Sequence, residues 1–225
     1  MTNVEIIFEG TKLTQTRFNE IERFVLEYFQ TLWSEIRESI YVLRKNNPEL
    51  VKSEVCLAMI GADSLSRFRE IITDGGEKEN NNEPRFRKWF DGFVLNDKNE
   101  VFRKYKKQIN CDAYIAWRLR NSLLHFYGFP LLKSEFIAFG TLDEDRTEKL
   151  KKFVPQNHSG KKVRIINPYR LIEAVQIGFL TQLEILKEMI EGSNEPEKET
   201  YIKGIVKCYD IIMNEGSVHV PFRGK

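Results

Sequence analysis

The chain has 225 residues, of which 41% are hydrophobic, 30% charged and 12% aromatic, with a formal net charge of +2. That is ordinary globular composition, long enough to bury one core, and nothing in it demands a nucleic-acid partner. No eighteen uncharged apolar residues run together, so no membrane span is expected, and the opening MTNVEIIFEG has neither the basic nor the apolar region of a leader. Three scattered cysteines (Cys56, Cys111, Cys208) suit reduced thiols in a cytoplasm rather than a disulfide framework. With three histidines and neither CxxC nor HxxxH spacing, we expect no metal site and no cofactor.

In chain order, Thr14–Asn47 carries Phe18, Ile21, Val25, Tyr28, Phe29, Leu32, Ile36, Ile40 and Leu43 at spacings of three and four, which predicts a long amphipathic helix. Asn46, Asn47 and Pro48 stop it, and Pro48 suits the first position of a second helix reaching Ile72. That helix is apolar nearly all round and should be central, with Asp63 in its buried part. Residues 73–84 (TDGGEKENNNEP) read as a mobile loop. A shorter helix (RFRKWFDGFVL) and a basic stretch (FRKYKK) follow. The basic clusters, GKKVR at Gly160–Arg164 included, are each short enough to be solvated surface. Beyond Pro130, SEFIAFGTL and KKVRIINP are β-rich and predict a small hairpin near residues 135–167. His158, in the polar loop between them, and His219 near the C-terminus carry no expected role. Two helices within 168–215 close the chain. The expectation is a single, mainly α domain over 1–225, with a β-rich excursion at 131–167.

The helix Cys111–Tyr127 holds RLRNSLLHFY. At about 100° per residue, Ile115, Leu119, Ser122, Leu123 and Phe126 share one face, a natural core face. Tyr114, Trp117, Asn121, Leu124 and His125 share another. An apolar second face predicts cover on both sides, with a partner subunit as one source. Asn121 and His125 are one turn apart and can hydrogen-bond. Gly128 and Pro130 end the helix, which puts His125 in its last turn, where the macrodipole favours imidazolium. Arg120 lies about 140° round from His125, so the two share one site only if two copies of the helix meet at a symmetry axis. Asp63 is a candidate partner for Arg120.

The pattern R-N-x-x-x-H-x-Y, from Arg120 to Tyr127, resembles the R-x4–6-H signature of the HEPN superfamily. The buried helix before it and the strand-then-helix after it resemble that family more loosely. The resemblance implies an antiparallel helical bundle, usually dimeric, and in many members a metal-independent endoribonuclease of toxin, phage-defence or RNA-processing systems. It implies that Arg120 holds the scissile phosphate, that His125 is acid or base, and that Asn121 positions one of them. Cleavage would leave a 2′,3′-cyclic phosphate and a 5′-hydroxyl, which requires RNA. Tyr127 matches a tyrosine that a partner nucleotidyltransferase antitoxin modifies with AMP in one toxin class. Arg118, six residues before His125, also satisfies the spacing and is a rival to Arg120. A second reading is a non-catalytic HEPN-like dimer that binds a protein or nucleotide partner.

Overall fold

The computed structural model describes residues 6–8, 11–47, 49–74, 82–130, 132, 135–140, 162–192 and 195–215. His158, His219, most of the expected loop at 73–84 and the whole of 143–160 lie outside these residues. The described chain is mainly α-helical. Strands β1 (Ile6–Phe8) and β2 (Thr11–Leu13) pair antiparallel and lead into α1 (Gln15–Asn46) and α2 (Val51–Asp74). Next come α3 (Asn82–Trp89), which runs into a π-helical turn at Phe90–Val94, α4 (Glu100–Ile109) and α5 (Ala113–Phe126). Strands β3 (Glu135–Phe139) and β4 (Lys162–Ile166) precede α6 (Pro168–Gly192) and α7 (Glu195–Glu215). No described helix is long and apolar enough to cross a membrane.

The chain forms two compact units. One comprises Met1–Ser34, Arg67–Asn80 and Ile185–Lys225, the other Glu35–Ser66 and Asn81–Glu184. In the first, the Thr14 hydroxyl caps α1 by accepting from the Arg17 N–H at 3.2 Å. Phe18, Ile21, Val25, Phe29 and Trp33 then form the buried stripe that their spacing predicts. Phe29 packs on Phe68 of α2 with ring centroids 4.5 Å apart. Ile202, Ile205, Val206 and Cys208 of α7 are buried as well, and Gly204 lets that helix approach the backbone of Ile71 and Ile72.

The second unit carries every candidate site residue. Its core joins Val55, Met59 and Leu65 of α2 to Phe86, Trp89, Phe90 and Phe93, and to Ile115, Leu119 and Leu123 of α5. Buried Asn99 does three jobs. It caps α4 by accepting from the Phe102 N–H at 3.1 Å, and it donates to the carbonyls of Phe93 (3.0 Å) and Ala174 (2.8 Å). The π-helical turn is thereby tied to α6, where Gly178 allows the close approach to the Phe93 carbonyl.

The expected hairpin is corrected. β3 and β4 do pair, but in parallel, with Glu135 opposite Lys162 and Phe139 opposite Ile166. A parallel pair needs a crossover of a dozen residues or more, and 140–161 is long enough to supply one. Ile137 and Ile166 are buried on one face of the ladder and Ile165 on the other. On the face that carries Ile137, Arg164 holds Glu135 with two hydrogen bonds, of 2.7 and 3.1 Å, which keeps that carboxyl below its ordinary range.

Candidate active site

Helix α5 is built to present its C-terminal turn. The Asp112 carboxylate caps its start by accepting from the Ile115 N–H at 2.8 Å. Ile115, Ala116, Leu119 and Leu123 anchor one face in the core. At the other end Tyr127 adopts a left-handed conformation (φ 48°, ψ 34°), its N–H reaching the Leu123 carbonyl and the Gly128 N–H reaching that of Ser122. This is a Schellman-type stop, in which glycine usually takes the left-handed position. A tyrosine there costs backbone strain of roughly 1 kcal/mol or more. A 2.7 Å hydrogen bond between its hydroxyl and that of Ser53, at the start of α2, offsets part of this.

That bond and a second one set the helix pair. Ser53, early in α2, meets Tyr127 at the end of α5, while Asp63, ten residues on, meets Arg120, a turn and a half before His125. The side chains of α2 and α5 thus meet in antiparallel order. Asp63 Oδ2 accepts from Arg120 Nη2 at 2.5 Å, and Asp63 Oδ1 accepts from Arg85 Nη2 at 3.1 Å. Arg120 Nη1 donates to Asn121 Oδ1 at 2.8 Å. The expected pairing of Arg120 with Asp63 is present, and of the two motif arginines it is Arg120 that Asp63 holds. Arg118 is exposed.

Arg85 did not figure in the sequence reading. Its side chain is only 5% exposed, and within RFRKWF it looked like one more surface cation. The available signal was Asp63 itself, because a carboxylate on a buried helix requires cations. Cys56, expected only to be a reduced thiol, lies near the pair. It lies seven residues before Asp63, on the same side of α2, close enough to feel the Arg120 charge, although burial pushes its thiol up.

One expectation about α5 is corrected. Phe126 falls at the centre of the predicted core face, yet its ring is 82% exposed. A helical projection gives direction around the axis but not position along it, and Phe126 is the last residue of α5, three beyond Leu123, the last buried position of the helix. Within one chain the second face is covered in part. Trp117 packs against Phe86 at 5.5 Å and lies 5.2 Å from the Arg120 guanidinium, but Tyr114 and His125 are exposed. Asn121 bonds Arg120 rather than His125, whose ring meets that of Phe126 edge-on at 6.2 Å.

The site is therefore a cationic cluster beside an open imidazole. Two guanidinium groups share the Asp63 carboxylate. Of the five N–H groups of Arg120, the bonds to Asp63 and Asn121 use two, and its side chain remains 19% exposed. The Lys52 ammonium lies 5.7 Å from the Tyr127 ring and 4.9 Å from that of Phe129. Among the described residues no three His, Cys, Asp or Glu side chains gather as a metal site would require. No family model, curated protein or solved structure matches the chain.

Proposed function

We propose that the protein is a HEPN-like, metal-independent endoribonuclease, working as a homodimer in which Arg120, Asn121 and His125 of both subunits line one cleft. One observation carries this reading. Within R-N-x-x-x-H-x-Y, Arg120 is fixed by Asp63 with guanidinium donors to spare, while His125 on the same helix is open to solvent. A second feature suits a polyanion. Arg103, Lys104, Lys106 and Lys107 are exposed on α4, and among the described residues none of them forms an ion pair.

In this chemistry the ribose 2′-hydroxyl loses its proton to a base as its oxygen attacks the adjacent phosphorus. The bond from phosphorus to the 5′-oxygen breaks, and that oxygen takes up a proton. His125 performs one of the two transfers. Arg120 neutralises charge growing on the phosphate oxygens, and Asn121, bonded to Arg120, holds it in place. A nucleotidyltransferase antitoxin acting on Tyr127 belongs to this reading as a partner.

The test is RNA cleavage in EDTA. His125→Ala should lower the rate by about 10²- to 10⁴-fold, and Arg120→Lys, which keeps a charge for Asp63 while losing the forked geometry, should also be impaired. Equal activity in all three proteins, or no cleavage of any RNA, overturns the reading. The Asp63 network itself favours the second reading, a non-catalytic dimeric module whose arginines serve packing. That reading gains if His125→Ala abolishes dimerisation and no nuclease activity exists.

A further inference from the structure

Among the described large hydrophobic side chains Phe126 is the most exposed, at 82%. A lone exposed ring is ordinary, but this one is part of a row. His125 precedes it, with ring centroids 6.2 Å apart, and Tyr127, half exposed, follows it. The row is held in shape. Tyr127 is fixed by its left-handed backbone and by Ser53, and Leu123 is anchored one turn back in the core. The surroundings are cationic. Lys52 lies over the Tyr127 ring, and among the described residues it makes no ion pair. Glu54, two residues beyond Lys52 on α2, is held by Arg44 through hydrogen bonds of 3.0 and 2.8 Å.

We propose that Phe126 is a stacking platform for an unpaired RNA base beside the scissile position, with Lys52 contacting a flanking phosphate. This rests on the endoribonuclease reading and sharpens its substrate to single-stranded RNA. The argument is one of shape and charge. An open phenyl face offers a nucleobase a flat apolar surface, and base–aromatic stacking of this kind tolerates any sequence. A base inside a duplex has both faces covered and cannot reach a protein ring unless it is splayed out. The apolar face of a second protein chain would gain little from an unneutralised ammonium at the rim. A nucleotide uses ring and charge together.

Fluorescence anisotropy in EDTA, with the full chain carrying His125→Ala so that RNA stays intact, tests the proposal. Labelled unstructured single strands are compared with a fully paired RNA duplex. Adding Phe126→Ala should weaken single-strand binding by about 5- to 150-fold, leave duplex binding unchanged, and be rescued by Phe126→Trp. Lys52→Gln should weaken binding and make it less dependent on salt. Unchanged single-strand affinity in Phe126→Ala overturns the proposal, and so does equal loss for both RNAs. A lower oligomeric state of Phe126→Ala in sedimentation also overturns it, since the ring would then cover a second copy. The two readings fail separately. Phe126-dependent binding without cleavage by the parent protein sinks only the nuclease. Cleavage by Phe126→Ala at unchanged KM sinks only the platform.

Discussion

Asp63 places one carboxylate between two guanidinium groups, and its neighbours differ in how much they need it. The Arg85 side chain is 5% exposed and Arg120 is 19% exposed. Removing the shared carboxylate takes from buried Arg85 its 3.1 Å bond to Asp63, while the Ser66 hydroxyl stays 3.3 Å away. Breaking a buried pair from one side costs about 3 kcal/mol at the low end, which is apt because Asp63 retains some contact with water. Asp63→Ala should therefore lower Tm by roughly 6–12 °C for a chain of this size, with Asp63→Asn falling between it and the parent. A thermal melt with no shift for Asp63→Ala would show that the arginines find other partners. The same residue links stability to chemistry, because Asp63→Asn should also slow RNA cleavage by loosening Arg120.

Between elements, backbone approach sets the tolerance. Gly204 of α7 sits where a Cβ would overlap the Ile72 backbone and lie 2.6 Å from the Ile71 carbonyl oxygen. Helix propensity alone would make Gly→Ala favourable by about 1 kcal/mol. Contact with a rigid backbone reverses the sign, so Gly204→Ala should be destabilising by about 1–3 kcal/mol in urea unfolding. A stabilised variant would mean that α7 can shift outward without loss. Elements were legible in sequence to the extent that periodicity alone defines them. The expected 14–47 helix is Gln15–Asn46, because a stripe at spacings of three and four has one solution. Strand direction was not legible. Alternation in SEFIAF and KKVRII reports which face is buried, and that face is the same for parallel and antiparallel partners. The basic stretch FRKYKK forms most of α4, a helix whose signals, the Asn99 cap and the Phe102 and Ile109 anchors, are sparse. In the site, the Arg120–Asp63 contact was legible because opposite charges on two buried helices seek each other. Arg85, and the exposure of Phe126, depend on which elements end where, and residue spacing does not carry that.

For the molecule as a whole, the proposed cleft draws on two copies of α5, since Arg120 and His125 occupy different faces of one helix. This gives a prediction that no single-chain site would meet. Arg120→Ala and His125→Ala proteins, each inactive alone, should regain about a quarter of parental cleavage when mixed and allowed to exchange subunits. Half the dimers are then hybrids, with one of two composite sites intact. No recovery after demonstrated exchange would place the whole site within one subunit. The division of the chain into units has a different kind of consequence. The unit that carries the site is discontinuous, Glu35–Ser66 and Asn81–Glu184, with Asp63 in its first segment and Arg120 in its second. No single cut in the polypeptide releases it whole. A fragment from Glu35 to Glu184 would hold both segments but also carry Arg67–Asn80, which belong to the other unit, and an insertion tolerated between the segments would separate the carboxylate from its arginine in sequence while leaving the pair joined in space.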